Sequence, residues 1–254
     1  MSDAPLIEAR GIVRHFGHVQ ALQGADFSVG RGEIVGLIGD NGAGKSTLIR
    51  ILSGTDRPDG GEILVNGRLV HFNGPQDARA VGIETVYQDL SLAPDLDTAA
   101  NVFLGRELVK RGLLGRLGVL DKSRMVRQAG EALARLGVTI RASSEVFTLS
   151  GGQRQSVAVA RAAMWATSVI FMDEPTAALG VVQTKGVLDL IRRIRDAGAA
   201  VVFISHNFPQ IMEITDRIVI LRLGRTVGQI AASAASVDDL VRAMMSGILR
   251  NQAA

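Results

Sequence analysis

The sequence predicts an α/β fold. Its core is a mostly parallel sheet with flanking helices, preceded by an antiparallel β subdomain and interrupted by an inserted α-helical subdomain. Three observations carry this prediction. Continuously apolar runs at residues 34–38, 168–172 and 199–204 have the pattern of strands buried on both faces of a parallel sheet. Across residues 33–54, EIVGLIGDNGAGKSTLIRILSG, a strand, a glycine-rich loop and a helix follow one another. From about residue 89 to residue 163 the sequence turns helix-rich. A chain of 254 residues is long for one domain and short for two, so one domain over 1–254, with 89–163 as its inserted subdomain, is expected.

Composition narrows the class. Hydrophobic residues make up 47% of the chain and charged residues 21%, enough apolar material for a real core. The absence of cysteine excludes a disulfide framework and thiolate metal sites, and is compatible with a reducing cytosol. The opening MSDAPLIEAR has an acidic residue and no long apolar stretch, so no secretory signal is expected. No apolar run approaches the ~18 residues of a membrane span. The net charge of +3 is scattered; only Arg192, Arg193 and Arg195 cluster, on a polar helix face, and no nucleic-acid surface is read from them.

Taken in order, residues 6–16 and 21–29 alternate weakly and read as antiparallel strands. Phe16, in an Arg-His-Phe-Gly context, is either a half-buried strand residue or a platform on which a base could stack. Residues 62–65 and 68–72 flank Asn66-Gly67, the favoured hairpin connection. A short helix at 77–81 and a strand at 83–87 follow, the strand ending at Gln88. Thr98 is expected to cap a helix through residues 99–104, residues 110–118 to form a loop, and Asp121 to start a helix at 122–136. Ser150 is expected to cap a helix over about 154–165. Residues 177–198 read as largely helical, 217–230 as a hairpin around Gly224, 237–245 as a helix, and 251–254 as frayed.

The chemistry concentrates at four places. Gly39, Asp40, Asn41, Gly42, Ala43, Gly44, Lys45, Ser46 and Thr47 follow a strand and open a helix with the spacing G-x-x-x-x-G-K-S. Backbone N–H groups of such a loop and of the helix N-terminus point at an anion, the lysine supplies a compact positive charge, and the hydroxyl can ligate Mg²⁺. A glycine-rich turn that binds nothing would account for the glycines but not for Lys45-Ser46-Thr47. Ser150, Gly151, Gly152 and Gln153 form a second glycine-rich turn before a helix, a second candidate anion site. Asp173 and Glu174 sit at the C-terminal end of a buried strand, where two acids are costly unless solvated, paired or metal-bound. His206 ends the next apolar run, and such a histidine is either a structural hydrogen-bonder or a catalytic group.

With Lys45, Gln88, Leu149-Ser150-Gly151-Gly152-Gln153, Asp173-Glu174 and His206 in this order, the chain resembles the ATP-binding-cassette (ABC) transporter ATPases over nearly its whole length. LSGGQ is the most specific of these motifs. The resemblance implies a P-loop NTPase core that binds and hydrolyses ATP with Mg²⁺. It implies that residues 39–47 wrap the phosphates, with Lys45 on the β- and γ-phosphates, and that Phe16 stacks on adenine. Ser46, Gln88 and Asp173 are implied as the Mg²⁺ partners, Glu174 as the general base, His206 as the switch residue near the γ-phosphate, and Gln88 as the mobile-loop residue whose neighbours touch the permease. Ser150, Gly151, Gly152 and Gln153 would meet the ATP held by a partner cassette in a head-to-tail homodimer. ATP would thus be part of the interface.

Residues 84–90, 94–97 and 101–107 further look like the bacterial carbohydrate importers of the ribose/xylose/fructose type, in their single-cassette branch. This implies a peripheral subunit on the cytoplasmic face of the inner membrane, joined to permease subunits and through them to a periplasmic sugar-binding protein. An ABC transporter ATPase for another substrate, or a soluble ABC-type ATPase acting on nucleic acid or ribosomes, is the alternative. One departure stands out. After Asp173-Glu174-Pro175-Thr176 the family usually continues to Leu-Asp, whereas this chain has Leu179-Gly180. Coupling between the two sites of a dimer would be altered by the missing carboxylate.

Overall fold

In the computed structural model, which describes residues 4–249, ten strands form two sheets. β1 (Ile7–Phe16) and β2 (Val19–Val29) form a hairpin, and β3 (Ile34–Ile38) leads into α1 (Lys45–Leu52). β4 (Gly60–Val65) and β5 (Arg68–Val70) are joined by Asn66 and Gly67, whose φ values of 50° and 73° suit the tight hairpin turn. After α2 (Pro75–Ala80) and β6 (Ile83–Val86) come four helices in succession: α3 (Thr98–Val102), α4 (Leu113–Arg116), α5 (Lys122–Arg135) and α6 (Gly151–Trp165). The chain then alternates through β7 (Val169–Asp173), α7 (Val181–Asp196), β8 (Ala200–Ile204) and α8 (Phe208–Ile214). It ends with β9 (Arg217–Arg222), β10 (Arg225–Ala231) and α9 (Val237–Ser246). The expected fraying of residues 251–254 lies outside the described residues.

Two compact units result. One runs to Gln88, resumes over Ala166–Pro175 and again from Ile194; the other comprises Asp89–Trp165 and Thr176–Arg193. The first holds both sheets. Its antiparallel sheet has the order β2-β1-β4-β5, and its six-stranded sheet has the order β10-β9-β3-β8-β7-β6. All neighbours in the larger sheet are parallel except the β9–β10 edge hairpin. β3 and β8 are buried along their whole length, which is why their sequences show no polar alternation. Val35, Leu37, Val202 and Ile204 share one apolar cluster with Leu48 and Leu52 of α1 and with Ile7, Leu22 and Val29 of the antiparallel sheet. Each such side chain contributes about 1.5–3 kcal/mol on burial. Arg217 Nε donates to Glu33 Oε1 (2.7 Å) and the Ile34 N–H to Asp216 Oδ2 (2.7 Å), which pins the register of β3 against β9.

The second unit has its own core. Phe103 and Trp165 meet edge to face at 5.4 Å between ring centroids, beside Met125, Ala129 and Leu133 of α5. Asn101 is fully buried and fully used: its amide donates to the carbonyls of Ala93 and Asp97, and its oxygen accepts from the Ala93 N–H at 2.7 Å.

Three local expectations are corrected here. The cap of α3 is Asp97, which accepts from the Ala100 N–H at 2.7 Å, while the Thr98 hydroxyl donates to the Ser144 carbonyl. The stretch read as a loop at 110–118 contains α4. And α6 starts at Gly151, three residues before the expected position, because Ser150 and Gln153 cap it reciprocally.

Candidate nucleotide-binding site

The C-terminal ends of three adjacent parallel strands build the site within the first unit. β3 delivers the loop from Gly39, β8 its neighbour delivers Ser205 and His206, and β7 beyond it delivers Asp173 and Glu174. Open α/β sheets bind ligands at such ends. Two glycines of the loop are there for space. A Cβ on Gly39 would strike the carbonyl of Leu221, and one on Gly44 (φ 103°) would lie 2.7 Å from the Ala21 carbonyl and from the Leu22 side chain. The loop is therefore pressed against β2 and β9, with α1 starting immediately after it. The N–H groups of the first turn of a helix have no intrahelical partner and face outward from its start.

Lys45 Nζ donates to the carbonyls of Gly39 (2.6 Å) and Asp40 (3.0 Å), so the loop's own oxygens hold the ammonium in place. Burial lowers its pKa from the usual lysine value, opposed by the nearby charges of Glu174, Asp173 and Asp40. Ser46 Oγ donates to Asp173 Oδ2 at 3.2 Å. Burial raises the Asp173 pKa, with the Glu174 charge adding to it and the Ser46 hydrogen bond and Lys45 opposing it. A partly desolvated ammonium and a partly desolvated carboxylate thus lie within each other's field, and each offsets part of the other's burial cost.

Glu174 is reached by a left-handed turn. Its N–H still donates to the Ile204 carbonyl in continuation of the β7–β8 ladder, yet its own φ is +50°. Such strain in a non-glycine residue persists only where the surroundings hold it, and it concentrates at functional sites. The carboxylate is 16% exposed and lies 2.9 Å from Nδ1 of His206, whose ring is 81% exposed. Gln88 is exposed, two residues past the end of β6, and closes the first of the three stretches that make up this unit.

Phe16, at the end of β1, is 43% exposed, and the Arg14 guanidinium lies over its ring at 4.7 Å. Arg14 in turn donates to Asp59 (3.0 Å) and Asp56 (3.1 Å). Sequence reasoning singled out Phe16 but not the Arg14 that lies over its ring. The available signal was the two-residue spacing, which sets both side chains on one face of a strand; the partners Asp56 and Asp59 arrive from a distant turn.

The second glycine-rich turn belongs to the second unit. Ser150 Oγ accepts from the Gln153 N–H (3.3 Å) and Gln153 Oε1 from the Ser150 N–H (2.9 Å). Gly151 has open space where a Cβ would be, whereas a Cβ on Gly152 would run into Gln183 at 2.7 Å.

Residues 22–177 match the family model described as ABC transporter. The chain belongs to the ABC transporter family. It is an ATPase of that family. A fructose import ATP-binding protein from Rhizobium meliloti is 49% identical over 250 residues, covering 97% of this chain and 96% of that protein. A xylose/arabinose import ATP-binding protein from Sulfolobus acidocaldarius is 44% identical over 247 residues, covering 97% and 95%. A ribose import ATP-binding protein from Rubrobacter xylanophilus is 44% identical over 248 residues; the match takes in 98% of this chain but only 48% of that relative. Against the ribose protein, then, this ABC chain spans about half the length. Among solved structures, the ADP conformation of an ATP-binding cassette of an ABC transporter superposes with a TM-score of 0.80 at 23% identity, covering 96% of each chain. A nucleotide-free cassette gives 0.79 at 24%, covering 90% and 92%. At these identities the likeness speaks for the fold, which is that of an ATP-binding cassette. Among the described residues no helix is long and apolar enough to cross a membrane.

Proposed function

We propose that the chain binds and hydrolyses Mg·ATP to energise import of a sugar, as the peripheral subunit of a transporter on the cytoplasmic face of the inner membrane. Its implied partners are permease subunits and, through them, a periplasmic sugar-binding protein. The observation that carries the site is the convergence of Lys45, the Ser46–Asp173 contact and the Glu174–His206 contact at the ends of β3, β7 and β8. The sugar reading draws on the relatives, whose names specify fructose, xylose/arabinose and ribose import.

In this reading residues 39–47 wrap the triphosphate, and Lys45 exchanges its carbonyl partners for β- and γ-phosphate oxygens. The gain is large because the ammonium is already partly desolvated. The residues present fit Mg²⁺. A serine hydroxyl and an aspartate are hard oxygen donors, and among the described residues no group of three or more His, Asp or Glu could hold a metal by itself. Mg²⁺ bound by one or two protein oxygens plus substrate phosphates is its ordinary mode. When bound there, it would neutralise charge on the transferring phosphoryl group. Ser46, Asp173 and Gln88 are the residues to hold it.

Glu174 acts as the general base that orients a water and accepts its proton, and His206 holds that carboxylate through Nδ1. A base that the backbone has turned into place and a neighbouring imidazole has fixed needs little reorganisation at the moment of reaction. Phe16 offers the ring face away from Arg14 to the adenine. Ser150, Gly151, Gly152 and Gln153 complete the site of a second copy in a head-to-tail homodimer. Hydrolysis would then loosen the closed state, since ATP binds closed and open dimers unequally.

Two measurements test this. Glu174→Gln is expected to leave ATP binding intact and lower turnover by roughly 10²–10⁴-fold; wild-type turnover would overturn the base assignment. Uptake of labelled fructose, ribose and xylose by cells with and without the chain should show loss of one sugar. Unchanged uptake of all three would overturn these three assignments while leaving the ATPase reading standing.

A further inference from the structure

One surface segment of the second unit has no role in the chemistry above. Every residue from 109 to 120 except Gly115 is exposed. Leu113 and Leu117 are 73% and 71% exposed, and Leu114 is 49% exposed. Large apolar side chains grouped at one exposed place mark an interaction site.

The segment is built to hold them out. The Lys110 N–H donates to the Val119 carbonyl (2.9 Å), the Val119 N–H to the Leu114 carbonyl (3.0 Å), and the Asp121 N–H to the Leu108 carbonyl (2.7 Å). Gly112 and Gly118 take left-handed conformations, φ 73° and 74°. A Cβ on Gly115 would strike the carbonyl of Lys110, so only glycine lets the turn close this tightly.

Charge completes the pattern. Lys110, Arg111 and Arg116 are exposed within the segment, and residues 109–120 contain no acid. The acids on either side are engaged locally: Glu107 accepts from the Gly105 N–H (2.9 Å), and Asp121 caps α5 by accepting from the Arg124 N–H.

We propose that this turn contacts lipid directly, with Leu113, Leu114 and Leu117 entering the interface of an anionic bilayer and Lys110, Arg111 and Arg116 meeting lipid phosphates. Exposed leucines interleaved with three cations and no acid match the layered chemistry of an anionic bilayer interface, apolar beneath and anionic above. Each cation near an anionic surface adds to binding, and Lys and Arg stems lie along apolar surface while their heads stay wet. The contact is weak and reversible, comparable to a single lipid chain, and suits a subunit also held by protein partners. It goes beyond the transport reading and holds whichever solute is carried.

The test is co-sedimentation of the full chain with vesicles of phosphatidylglycerol and phosphatidylethanolamine, against vesicles of phosphatidylcholine alone. Binding is expected to the anionic vesicles and to weaken with salt. Lys110→Glu, Arg111→Glu and Arg116→Glu should each weaken it by about fivefold or more, and Leu113→Gln with Leu117→Gln should abolish it, all with unchanged ATPase activity and melting temperature. Because the chain has no cysteine, Leu117→Cys can carry a single environment-sensitive dye, whose emission should shift to the blue on anionic vesicles. Equal binding to both vesicle types, binding unaffected by the substitutions, no blue shift, or binding only to vesicles containing a permease would each overturn the proposal.

Discussion

The two glycine-rich helix starts of this chain look alike in sequence and differ in construction. At α1 Gly39 and Gly44 are structural necessities, crowded by Leu221 and Ala21, and a lysine is held at the mouth of the loop by the carbonyls of Gly39 and Asp40. At α6 Ser150 and Gln153 satisfy one another, Gly151 faces open space while Gly152 is crowded by the Gln183 side chain, and residues 149–153 carry no cation. In the proposed function the first holds a multiply charged anion by itself. The second offers a helix start and two small residues, enough to complete a site whose charges are supplied elsewhere. The two helix starts are therefore physically different objects, as the different roles proposed for them require.

Substitutions at matched glycines break this comparison most sharply. Gly44→Ala should abolish ATP binding in an equilibrium assay and lower the melting temperature, since its φ of 103° and its 2.7 Å approach to Ala21 both forbid a side chain. Gly151→Ala, in open space, should leave folding and ATP binding unchanged and affect only turnover. Equal effects of the two on binding would contradict the distinction.

A smaller effect concerns Asp173. Its pKa is raised in the folded chain, so between the ordinary carboxylate value and the raised one the folded state binds more protons than the unfolded state. Stability of the nucleotide-free protein therefore falls as pH rises through that window. Asp173→Asn should remove this cost and raise the melting temperature at neutral pH. The advantage should vanish below the ordinary carboxylate value, and Mg²⁺-dependent hydrolysis should be lost. A variant less stable than wild type at neutral pH would show that Asp173 is already satisfied by Ser46 and Lys45.

The smallest change belongs to Gly180, where the family's usual aspartate is missing. A Cβ there would meet only the far end of Gln183, which can move, so Gly180→Asp is expected to fold normally. It should alter the Hill slope for ATP hydrolysis by the reconstituted complex more than ATP affinity; an unchanged slope would remove Gly180 from the account of coupling.

Much of this was legible in the chain itself because it depends on local pattern. β3, β7 and β8 announce themselves as unbroken apolar runs, and the residues that end them follow directly. Other features rest on neighbours distant in sequence. That Gly39 answers to the Leu221 carbonyl, or that Arg14 is clamped by Asp56 and Asp59 over the ring of Phe16, depends on strand pairing that residue spacing does not encode. The pairing of β1 with β4 as well as β2 is of the same kind. At 110–118 the glycines spelled a loop, yet they are what allow the turn around α4 to close. Thr98 and Asp97 are both good caps, and only the Ala100 N–H chooses between them.

The central claim is that the loop at residues 39–47 is one half of a shared site, completed by Ser150 and Gly151 of another copy. Mixing two inactive variants tests it directly. Lys45→Ala lacks the cradle but keeps its turn, while Ser150→Arg keeps the cradle but blocks its turn. A mixed dimer contains one intact site, so ATP hydrolysis absent from either variant alone should return on mixing. A mixture as inactive as its components would contradict the account.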